Sequence, residues 1–364
     1  MEKGISAIIK ATNRCNLNCD YCIASNNLER RDMKKETLKK CIDKLVYFNG
    51  KDKTTKFIWH GGEPLILGLN FFRQIVKFQK PLIDSSYQII NNIQSNGTLL
   101  NEEFVDYFLE NNFRMGFSLD GTEECHNKYR KYNDGRGSFD KSYSAIKLAK
   151  SKGIGSGAIL VLSKQNLERL EEIYTFFRDE QINLKINPLI KSGKAKENES
   201  LSLLPNEYGN AMINLFDLWY NDSRGKIKID PLDSIIKGFI TGKINECSYS
   251  PDCQKSFIGI DSNGDLYPCG RFVGHSEFKY GNINNDFDFL FLSQLKGFNK
   301  RKESLSHCSD CDIKSYCNGG CAFESYISRG DIFHKTFFCE SNKLLFNYIR
   351  RILERELIEI LVFN

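Results

Sequence analysis

KATNRCNLNCDYC, from Lys10 to Cys22, is the part of this 364-residue chain around which the rest is organised. It sets three cysteines in a C-x3-C-x2-C spacing soon after a short apolar run that predicts a strand. Three thiolates on one tight loop can bind three irons of a 4Fe–4S cluster, which leaves the fourth iron open to a small molecule. A structural zinc site is the alternative, but it needs a fourth ligand, and neither cysteine nor histidine follows before Cys41.

The composition points to a globular protein that binds metal. Hydrophobic residues make up 41% of the chain, which is enough to bury a core. The thirteen cysteines, mostly in C-x2-C and C-x3-C spacings with no signal peptide ahead of them, favour metal ligands over disulfides, so we expect a cytoplasmic protein. There is no long apolar run, and the net charge of +5 comes without a basic block interleaved with aromatic residues. We therefore expect neither a membrane nor nucleic acid among its partners.

Strand-like runs alternate with helical patterns through the first half of the chain. The predicted strands are 6–10, 57–60, 88–94, 115–119, 158–162 and 184–187. Six strands alternating with helices predict an α/β fold, a partial (β/α)6 barrel of parallel strands. Ligands of such sheets bind at the carboxyl ends of the strands, where the cysteine loop also lies.

Other polar motifs fall at the same strand ends. Gly61 and Gly62 follow the second strand, and glycines let the backbone approach a ligand closely, although a simple tight turn is the alternative. Ser95 and Ser118 end the third and fourth strands, where hydroxyl groups suit ribose. Arg130 follows soon after, and arginine binds carboxylates as a bidentate donor. A surface salt bridge is the alternative for Arg130.

Eight of the thirteen cysteines lie between Cys247 and Cys339. An Asn263-Gly264 pair between alternating apolar residues predicts a β-hairpin with Cys269 at its far end. Eight ligands are enough for two fully ligated 4Fe–4S clusters, and four-cysteine zinc in one or both sites is the alternative.

Changes in composition suggest where the domains end. A polar stretch at 191–202 follows the last predicted strand. We expect a partial barrel at 1–204, a connecting helical segment at 205–246, a cysteine-rich domain at 247–340 and an amphipathic helix at 341–364. The last segment carries too many charges to span a bilayer.

The first half of the chain resembles the radical S-adenosylmethionine (SAM) superfamily, whose signature is this cysteine spacing with an aromatic residue before the third cysteine. The resemblance implies that Cys15, Cys19 and Cys22 hold the cluster and that SAM chelates its open iron. It also implies cleavage of SAM to methionine and a 5′-deoxyadenosyl radical, which removes a hydrogen atom from an unactivated C–H bond. The predicted SAM contacts are Tyr21, Gly61, Gly62, Glu63, Ser95, Asn96, Ser118, Arg130 and Leu189.

The second half resembles the SPASM domain, which extends many radical SAM enzymes that act on peptides and proteins. This resemblance implies three 4Fe–4S clusters in all, a peptide or protein substrate, and a reducing electron donor such as flavodoxin or ferredoxin. By the same resemblance, one auxiliary cluster would be held by Cys247, Cys253, Cys269 and Cys321, and the outer one by Cys308, Cys311, Cys317 and Cys339.

Nearly the whole chain resembles the anaerobic sulfatase-maturating enzymes, which oxidise cysteine or serine to formylglycine. Those enzymes carry an aspartate directly after the cysteine that ends the hairpin, whereas this chain has Gly270, which cannot accept a proton. We therefore predict a radical SAM oxidoreductase that modifies a ribosomally made precursor peptide, by a C–C, C–O or thioether cross-link. Asp120 and His126 are the predicted catalytic residues, and Asp261 is a further candidate base. A sulfatase maturase with a relocated base and a non-catalytic iron–sulfur electron carrier are the alternatives.

Overall fold

The computed structural model describes residues 3–23, 30–225, 227–285 and 298–363. The chain divides into two compact units. The first unit comprises Met1–Leu119, Glu123–Ile159 and Gln254–Asn299. The second unit comprises Asp120–Thr122, Leu160–Cys253 and Lys300–Asn364.

The six strands predicted with bounds begin and end close to the first six observed strands, and further short strands follow them. They are β1 (Lys3–Thr12), β2 (Thr54–Gly61), β3 (Ile89–Ser95), β4 (Phe113–Ser118), β5 (Ser156–Leu162), β6 (Asn183–Pro188), β7 (Ile229–Asp230), β8 (Phe257–Ile260), β9 (Asp265–Tyr267) and β10 (Gly281–Asn282). In the first unit the strand order is β10-β9-β8-β1-β2-β3-β4-β5, and in the second it is β5-β6-β7. Neither order closes into a barrel among the described residues, and the predicted α/β fold of mainly parallel strands is confirmed.

The predicted hairpin is present and joins the parallel sheet of the first unit. Strands β8 and β9 pair antiparallel around Gly264, whose φ of +91° suits a residue without a side chain. On its other edge β8 runs parallel to β1, with Ile260 opposite Ile9. Cys269 is thereby held in the same unit as the cysteine loop at 15–22.

The helices follow the strands as βα units require. They are α1 (Lys35–Asn49), α2 (Gly68–Asp84), α3 (Glu102–Glu110), α4 (Glu123–Tyr129), α5 (Phe139–Ser151), α6 (Leu170–Asp179), α7 (Pro205–Tyr220), α8 (Leu232–Thr241), α9 (Phe298–Ser304), α10 (Lys314–Cys317), α11 (Ala322–Arg329) and α12 (Cys339–Phe363). Local capping is visible at α3, where the Asn101 side chain accepts a hydrogen bond from the Phe104 N–H at 3.0 Å. No helix among the described residues is long and apolar enough to cross a membrane.

In the first unit, alternate residues of each strand are buried beneath the helices. The side chains of Phe57, Trp59 and Phe117 are completely buried on this face, and the ring of Phe71 of α2 lies 6.0 Å from that of Trp59. Burial of each such side chain stabilises the fold by about 1.5–3 kcal/mol. The opposite face of β2 and β3 is only partly buried, so it is the face that remains available to ligands.

The second unit packs α7 against α12. Tyr348 of α12 donates a hydrogen bond to the Asp217 carboxylate of α7 at 2.8 Å, and its ring lies 6.1 Å from that of Phe216. Beneath them, Arg178 pairs with the buried carboxylate of Asp222 at 2.9 Å. Hydrogen bonds from arginine side chains hold the pKa of Asp222 well below its usual range.

Candidate active site

The cysteine loop lies directly after β1 in the first unit. The Cys22 N–H donates to the Cys19 carbonyl at 3.2 Å, which closes a tight turn between two of the three thiols. The Leu17 N–H points at the Cys15 sulfur at 3.4 Å. A further hydrogen bond, from the Asn18 N–H to the Lys131 carbonyl at 2.7 Å, ties the loop to the segment after α4. The backbone therefore fixes the three cysteines in one short loop.

The donor set fits an iron–sulfur cluster. Burial, together with nearby Glu63, Cys19 and Cys22, raises the pKa of the Cys15 thiol to about 12, and the hydrogen bond from Leu17 acts in the opposite direction. A thiolate in this place needs a cation beside it, and iron would supply one. No three Cys, His, Asp or Glu side chains within the described ranges lie close enough to hold a single metal ion. The thiolates that hold a 4Fe–4S cluster lie farther apart than the ligands of a single metal ion, because each thiolate binds its own iron.

The Gly-Gly-Glu segment packs against the start of the cysteine loop. The Gly62 N–H donates to the Thr12 carbonyl and the Glu63 N–H to the Arg14 carbonyl, each at 2.8 Å. A Cβ on Gly62 would lie 2.0 Å from the Arg14 oxygen, so only glycine fits. Because these N–H groups already have partners, a ligand can use only the carbonyl oxygens of the segment. Carbonyl oxygens are acceptors, as an ammonium group requires.

The side chain of Glu63 joins the ends of β2 and β3. It is 1% exposed, and its carboxylate accepts hydrogen bonds from Ser95 Oγ at 2.8 Å and from the Asn96 N–H at 2.7 Å. Burial raises the pKa of Glu63 to about 7, and the hydrogen bonds from Asn96, Leu65 and Ser95 act in the opposite direction. The carboxylate thus positions the polar residues that follow the two strands.

Asparagine and threonine side chains connect β3 to the cysteine loop. Asn96 Nδ2 donates to Asn16 Oδ1 at 3.0 Å and lies 3.8 Å from the Cys15 sulfur. Asn16 in turn donates to Thr98 Oγ1 at 2.8 Å. The sequence analysis did not select Asn16 or Thr98, although a polar residue between two cysteines of the motif is a usable signal. Their hydrogen bonds fix the loop against the end of β3.

Tyr21 and Arg130 lie together. The Arg130 guanidinium stands 5.3 Å from the centre of the Tyr21 ring, close enough for a cation–π contact, and both side chains are buried. Tyr129 packs on the other side of the Tyr21 ring at 6.1 Å. Arginine is therefore held next to the residue that precedes Cys22.

Polar side chains also occupy the partly open face of the sheet in the first unit. Gln94 of β3 donates to Ser118 Oγ of β4 at 3.2 Å, and Lys10 of β1 is paired in register with His60 of β2. Burial and the nearby Lys10 lower the pKa of His60 to about 4, so the ring is neutral. Of these, the sequence analysis selected only Ser118 for the site. The alternation of β1 and β3 is the signal that could have added Lys10 and Gln94.

The remaining predicted residues of the site are spread over the two units. His126 is completely buried in the first unit, where its Nε2 lies 3.0 Å from Ser138 Oγ. Asp120 belongs to the second unit and accepts a hydrogen bond from the Val161 N–H at 3.0 Å. Leu189, also in the second unit, donates its N–H to the Leu162 carbonyl at 2.8 Å. Within each unit these contacts suit structural roles, and the catalytic and SAM-binding roles of the three residues stay predictions.

The four cysteines predicted to hold the outer cluster lie in the second unit and influence one another. Burial, together with neighbouring Cys339, Cys308 and Cys311, raises the pKa of the Cys317 thiol to about 12. Asn342 Nδ2 approaches the Cys317 sulfur at 3.5 Å and acts in the opposite direction. Of the other predicted set, Cys269 belongs to the first unit and the remaining three cysteines to the second.

Arg301 is a buried cation that the sequence analysis missed. Its guanidinium donates to the carbonyls of Gly320 at 3.1 Å and His334 at 2.7 Å. Burial lowers the pKa of Arg301, whereas the nearby Cys321 and Cys253 thiols raise it. A fixed positive charge thus stands beside cysteines that are predicted cluster ligands.

Comparison with known proteins places the chain in a family. The model of the radical SAM superfamily matches residues 9–177. The chain is 31% identical to the cysteine-type anaerobic sulfatase-maturating enzyme of Clostridium novyi, over 94% of this chain and 95% of that protein. It is also 31% identical to the serine-type anaerobic sulfatase-maturating enzyme of Bacteroides thetaiotaomicron, over 87% of this chain and 82% of that protein.

A solved structure is similar over nearly the whole chain. It is native anSMEcpe with bound AdoMet (SAM) and Cp18Cys peptide, which superimposes with a TM-score of 0.84 at 26% identity over 96% of this chain and 98% of that one. These likenesses overturn our main functional prediction, a cross-linking enzyme for precursor peptides, which is wrong. A radical SAM oxidoreductase with a 4Fe–4S cluster and SAM as cofactors is confirmed. The chain belongs to the radical SAM superfamily and, within it, to the family of the anaerobic sulfatase-maturating enzymes.

Proposed function

We propose that this enzyme oxidises a cysteine or serine of a sulfatase-type peptide to formylglycine. The observation that carries the proposal is the 31% identity to the cysteine-type enzyme of Clostridium novyi, because it extends over 94% of this chain and so includes the C-terminal cysteines. The peptide bound in the similar anSMEcpe structure supports a peptide or protein as the substrate class.

We also propose three 4Fe–4S clusters. The cysteine loop would hold the first, and the eight C-terminal cysteines would hold two more in the sets that the SPASM resemblance implies. The mutual influence of Cys308, Cys311, Cys317 and Cys339 supports the outer set, since it requires the four thiols to be close together. The fixed charge of Arg301 beside Cys253 and Cys321 supports a site for anionic thiolates there.

The residues of the first unit would bind and orient SAM. The carbonyls of Gly61 and Gly62 would accept from its ammonium group, and Arg130, held by Tyr21, would bind its carboxylate. Ser118, fixed by Gln94, would hydrogen bond to the ribose. When bound, the cluster and SAM supply a 5′-deoxyadenosyl radical, and the protein supplies position and exclusion of water.

The reaction on the peptide requires a proton acceptor as well as a radical. Loss of a hydrogen atom from the side-chain carbon, followed by loss of one proton and one electron, turns a thiol into a thioaldehyde. Water then replaces the sulfur, which leaves as hydrogen sulfide. A serine gives the aldehyde directly. The protein must therefore place a base near the substrate.

The test is an anaerobic assay with reconstituted enzyme, reductant, SAM and matched peptides that carry cysteine, serine or alanine at the target position. We expect 5′-deoxyadenosine together with an aldehyde, captured by a hydrazine reagent and detected by mass spectrometry, from the cysteine or the serine peptide. The alanine peptide is the control and should give no aldehyde, because it has no heteroatom to form the new double bond. Deoxyadenosine without aldehyde from either reactive peptide would contradict the proposal.

We propose an acidic redox protein such as flavodoxin or ferredoxin as the electron donor, and a basic face of α12 as its docking surface. This face is a groove lined by Lys343, Leu344, Asn347, Arg350 and Arg351. It begins one helical turn after Cys339, a predicted ligand of the outer cluster. Positive charge next to a cluster suits an acidic electron-transfer partner.

Charge reversal on the basic face should weaken the reaction with the protein donor. We expect the Lys343→Glu/Arg351→Glu variant to lose about tenfold in flavodoxin-supported deoxyadenosine formation at low ionic strength, and less as salt is added. Dithionite-supported formation should be unchanged, because a small reductant needs no docking surface. The Lys77→Glu/Lys80→Glu variant on α2 reverses two other exposed charges and is the matched control. An equal loss in both variants would contradict this surface.

A further inference from the structure

Lys10 and Asp261 are two buried residues of opposite charge, each influencing the pKa of the other, that the proposed chemistry has not yet used. Strands β1 and β8 run parallel with Ile9 opposite Ile260, so Lys10 and Asp261 are the next neighbours in register, at the carboxyl ends of the two strands. Both belong to the first unit, as do the cysteine loop and Cys269. The carboxyl ends of parallel strands are where ligands bind.

The Asp261 carboxylate has an oxygen without a hydrogen-bond partner. Its side chain is 2% exposed, and no donor among the described residues reaches Oδ1. The Ser262 N–H donates to the carboxylate, and the charged groups that face it are Lys10 and Arg31, which lower its pKa, and Asp265, which raises it. Burial has the largest effect and raises the pKa of Asp261. An unsatisfied buried oxygen is costly, so a native structure that keeps one calls for an explanation.

Lys10 is a buried cation that is influenced both by this carboxylate and by two cysteines. It is 6% exposed, and its ammonium group is influenced by Asp261, Cys22 and Cys269, all within the first unit. Burial lowers the pKa of Lys10, and these three neighbours raise it. Lys10 therefore lies close enough to Cys22 of the cysteine loop and to Cys269 of the hairpin for both to raise its pKa.

A side chain at position 270 would meet the side chain of Ile8. A Cβ on Gly270 would lie 2.6 Å from Cγ2 of Ile8, two residues before Lys10 on the same face of β1. Ile8 pairs with Gly259, which packs just as tightly against the Cys269 carbonyl. A side chain at 270 would therefore require Ile8 to shift, and Asp261 is a carboxylate farther along this face of the sheet.

We propose that Asp261 is the base that accepts the proton released by the substrate, and that Lys10 positions its carboxylate. This inference rests on the proposed function. For a cysteine substrate, the C–H hydrogen leaves as an atom to the deoxyadenosyl group derived from SAM. The S–H proton passes to Oδ1 of Asp261, one electron passes to an oxidised iron–sulfur cluster, and a carbon–sulfur double bond forms.

The test compares the ratio of aldehyde to deoxyadenosine in reconstituted wild-type enzyme and in Asp261→Asn, Asp261→Glu, Lys10→Met and Lys10→Arg. We expect this ratio to fall about 100-fold or more in Asp261→Asn, as loss of a general base does, and to recover in part in Asp261→Glu. Lys10→Met should lower the ratio, whereas Lys10→Arg should restore most of it. Asp52→Asn, which changes an exposed aspartate before β2, is the control.

The midpoint of heat denaturation of each reconstituted variant separates catalysis from structure. We expect Asp261→Asn to melt somewhat below the wild-type temperature, because the substitution leaves the buried Lys10 ammonium without this counter-charge, and to keep its yield of deoxyadenosine. A wild-type ratio of aldehyde to deoxyadenosine in Asp261→Asn would overturn the inference. A parallel fall in melting temperature, deoxyadenosine and aldehyde would also overturn it, because the residue would then have a structural role only. Absence of aldehyde from wild-type enzyme would overturn the proposed function and this inference together.

Discussion

Replacing Cys22 with alanine should abolish deoxyadenosine formation, with a fall of at least about a thousandfold, and should remove about four irons per chain. The reason is that Cys22 closes the loop that presents three thiols, and two thiolates leave two irons of the first cluster without a protein ligand. Iron analysis and chromatography of the nucleoside product measure the two effects on the same sample.

Two other cysteines make this prediction specific. Cys317→Ala, in the outer set, should also lower the iron content but leave SAM cleavage measurable, because the first cluster is intact. Cys41→Ala is the matched control, since Cys41 is completely buried in α1 and belongs to no predicted ligand set. Loss of deoxyadenosine in Cys41→Ala, or its persistence in Cys22→Ala, would contradict the assignment.

Much of the first unit could be predicted because its signals are local. The strand predicted at 57–60 lies within β2, and the Asn263-Gly264 turn needs only four neighbouring residues to be recognised. The pairing of β8 with β1 could not be predicted in this way, since it joins residues about 250 positions apart. Helix α4 was also missed, because seven residues give too short a pattern.

The site shows the same division between local and distant signals. The glycines at 61 and 62 could be selected from sequence. Glycine is required there because the backbone contacts the carbonyls of Thr12 and Arg14, and this contact depends on how two strands pair. His126 was a candidate because it follows the end of the fourth predicted strand, whereas the fold buries its ring against Phe139. Side-chain burial and hydrogen bonding depend on tertiary contacts that no single segment encodes.

The functional error has a physical cause. A glycine at 270 excludes a base at that position only. The sequence analysis nevertheless took it as evidence against formylglycine formation as a whole. Proton transfer needs a carboxylate within reach of the substrate, and a neighbouring strand can supply it. A side chain at position 270 would have to displace Ile8, and the lack of a base at this one position does not exclude the chemistry.

Gly62→Ala should disrupt the cysteine loop and the SAM site together. The new Cβ would lie 2.0 Å from the Arg14 carbonyl oxygen and 2.5 Å from its carbon, and both are backbone atoms that no rotamer change can move. Either the glycine segment or the residue before Cys15 must shift. Each shift separates the glycine carbonyls that we propose to bind SAM from the cysteines that we propose to hold the cluster. We expect SAM affinity, measured by equilibrium dialysis, to fall about 100-fold, since a displacement of about 1 Å has effects of this size. We also expect about 1–3 kcal/mol of stability to be lost.

Gly155→Ala is the matched control for this effect. Gly155 also lacks a positive φ, but a Cβ there meets nothing within 4 Å, so the substitution adds the same methyl group in open space. It should leave SAM affinity and iron content at wild-type values. If Gly62→Ala bound SAM as tightly as Gly155→Ala, the backbone contact between the glycine segment and the cysteine loop would not be needed for the site. A joint loss of iron and of SAM affinity in Gly62→Ala requires that one packing contact fixes both the cysteine loop and the glycine segment. The hydrogen bonds from Gly62 to Thr12 and from Glu63 to Arg14 indicate such a contact.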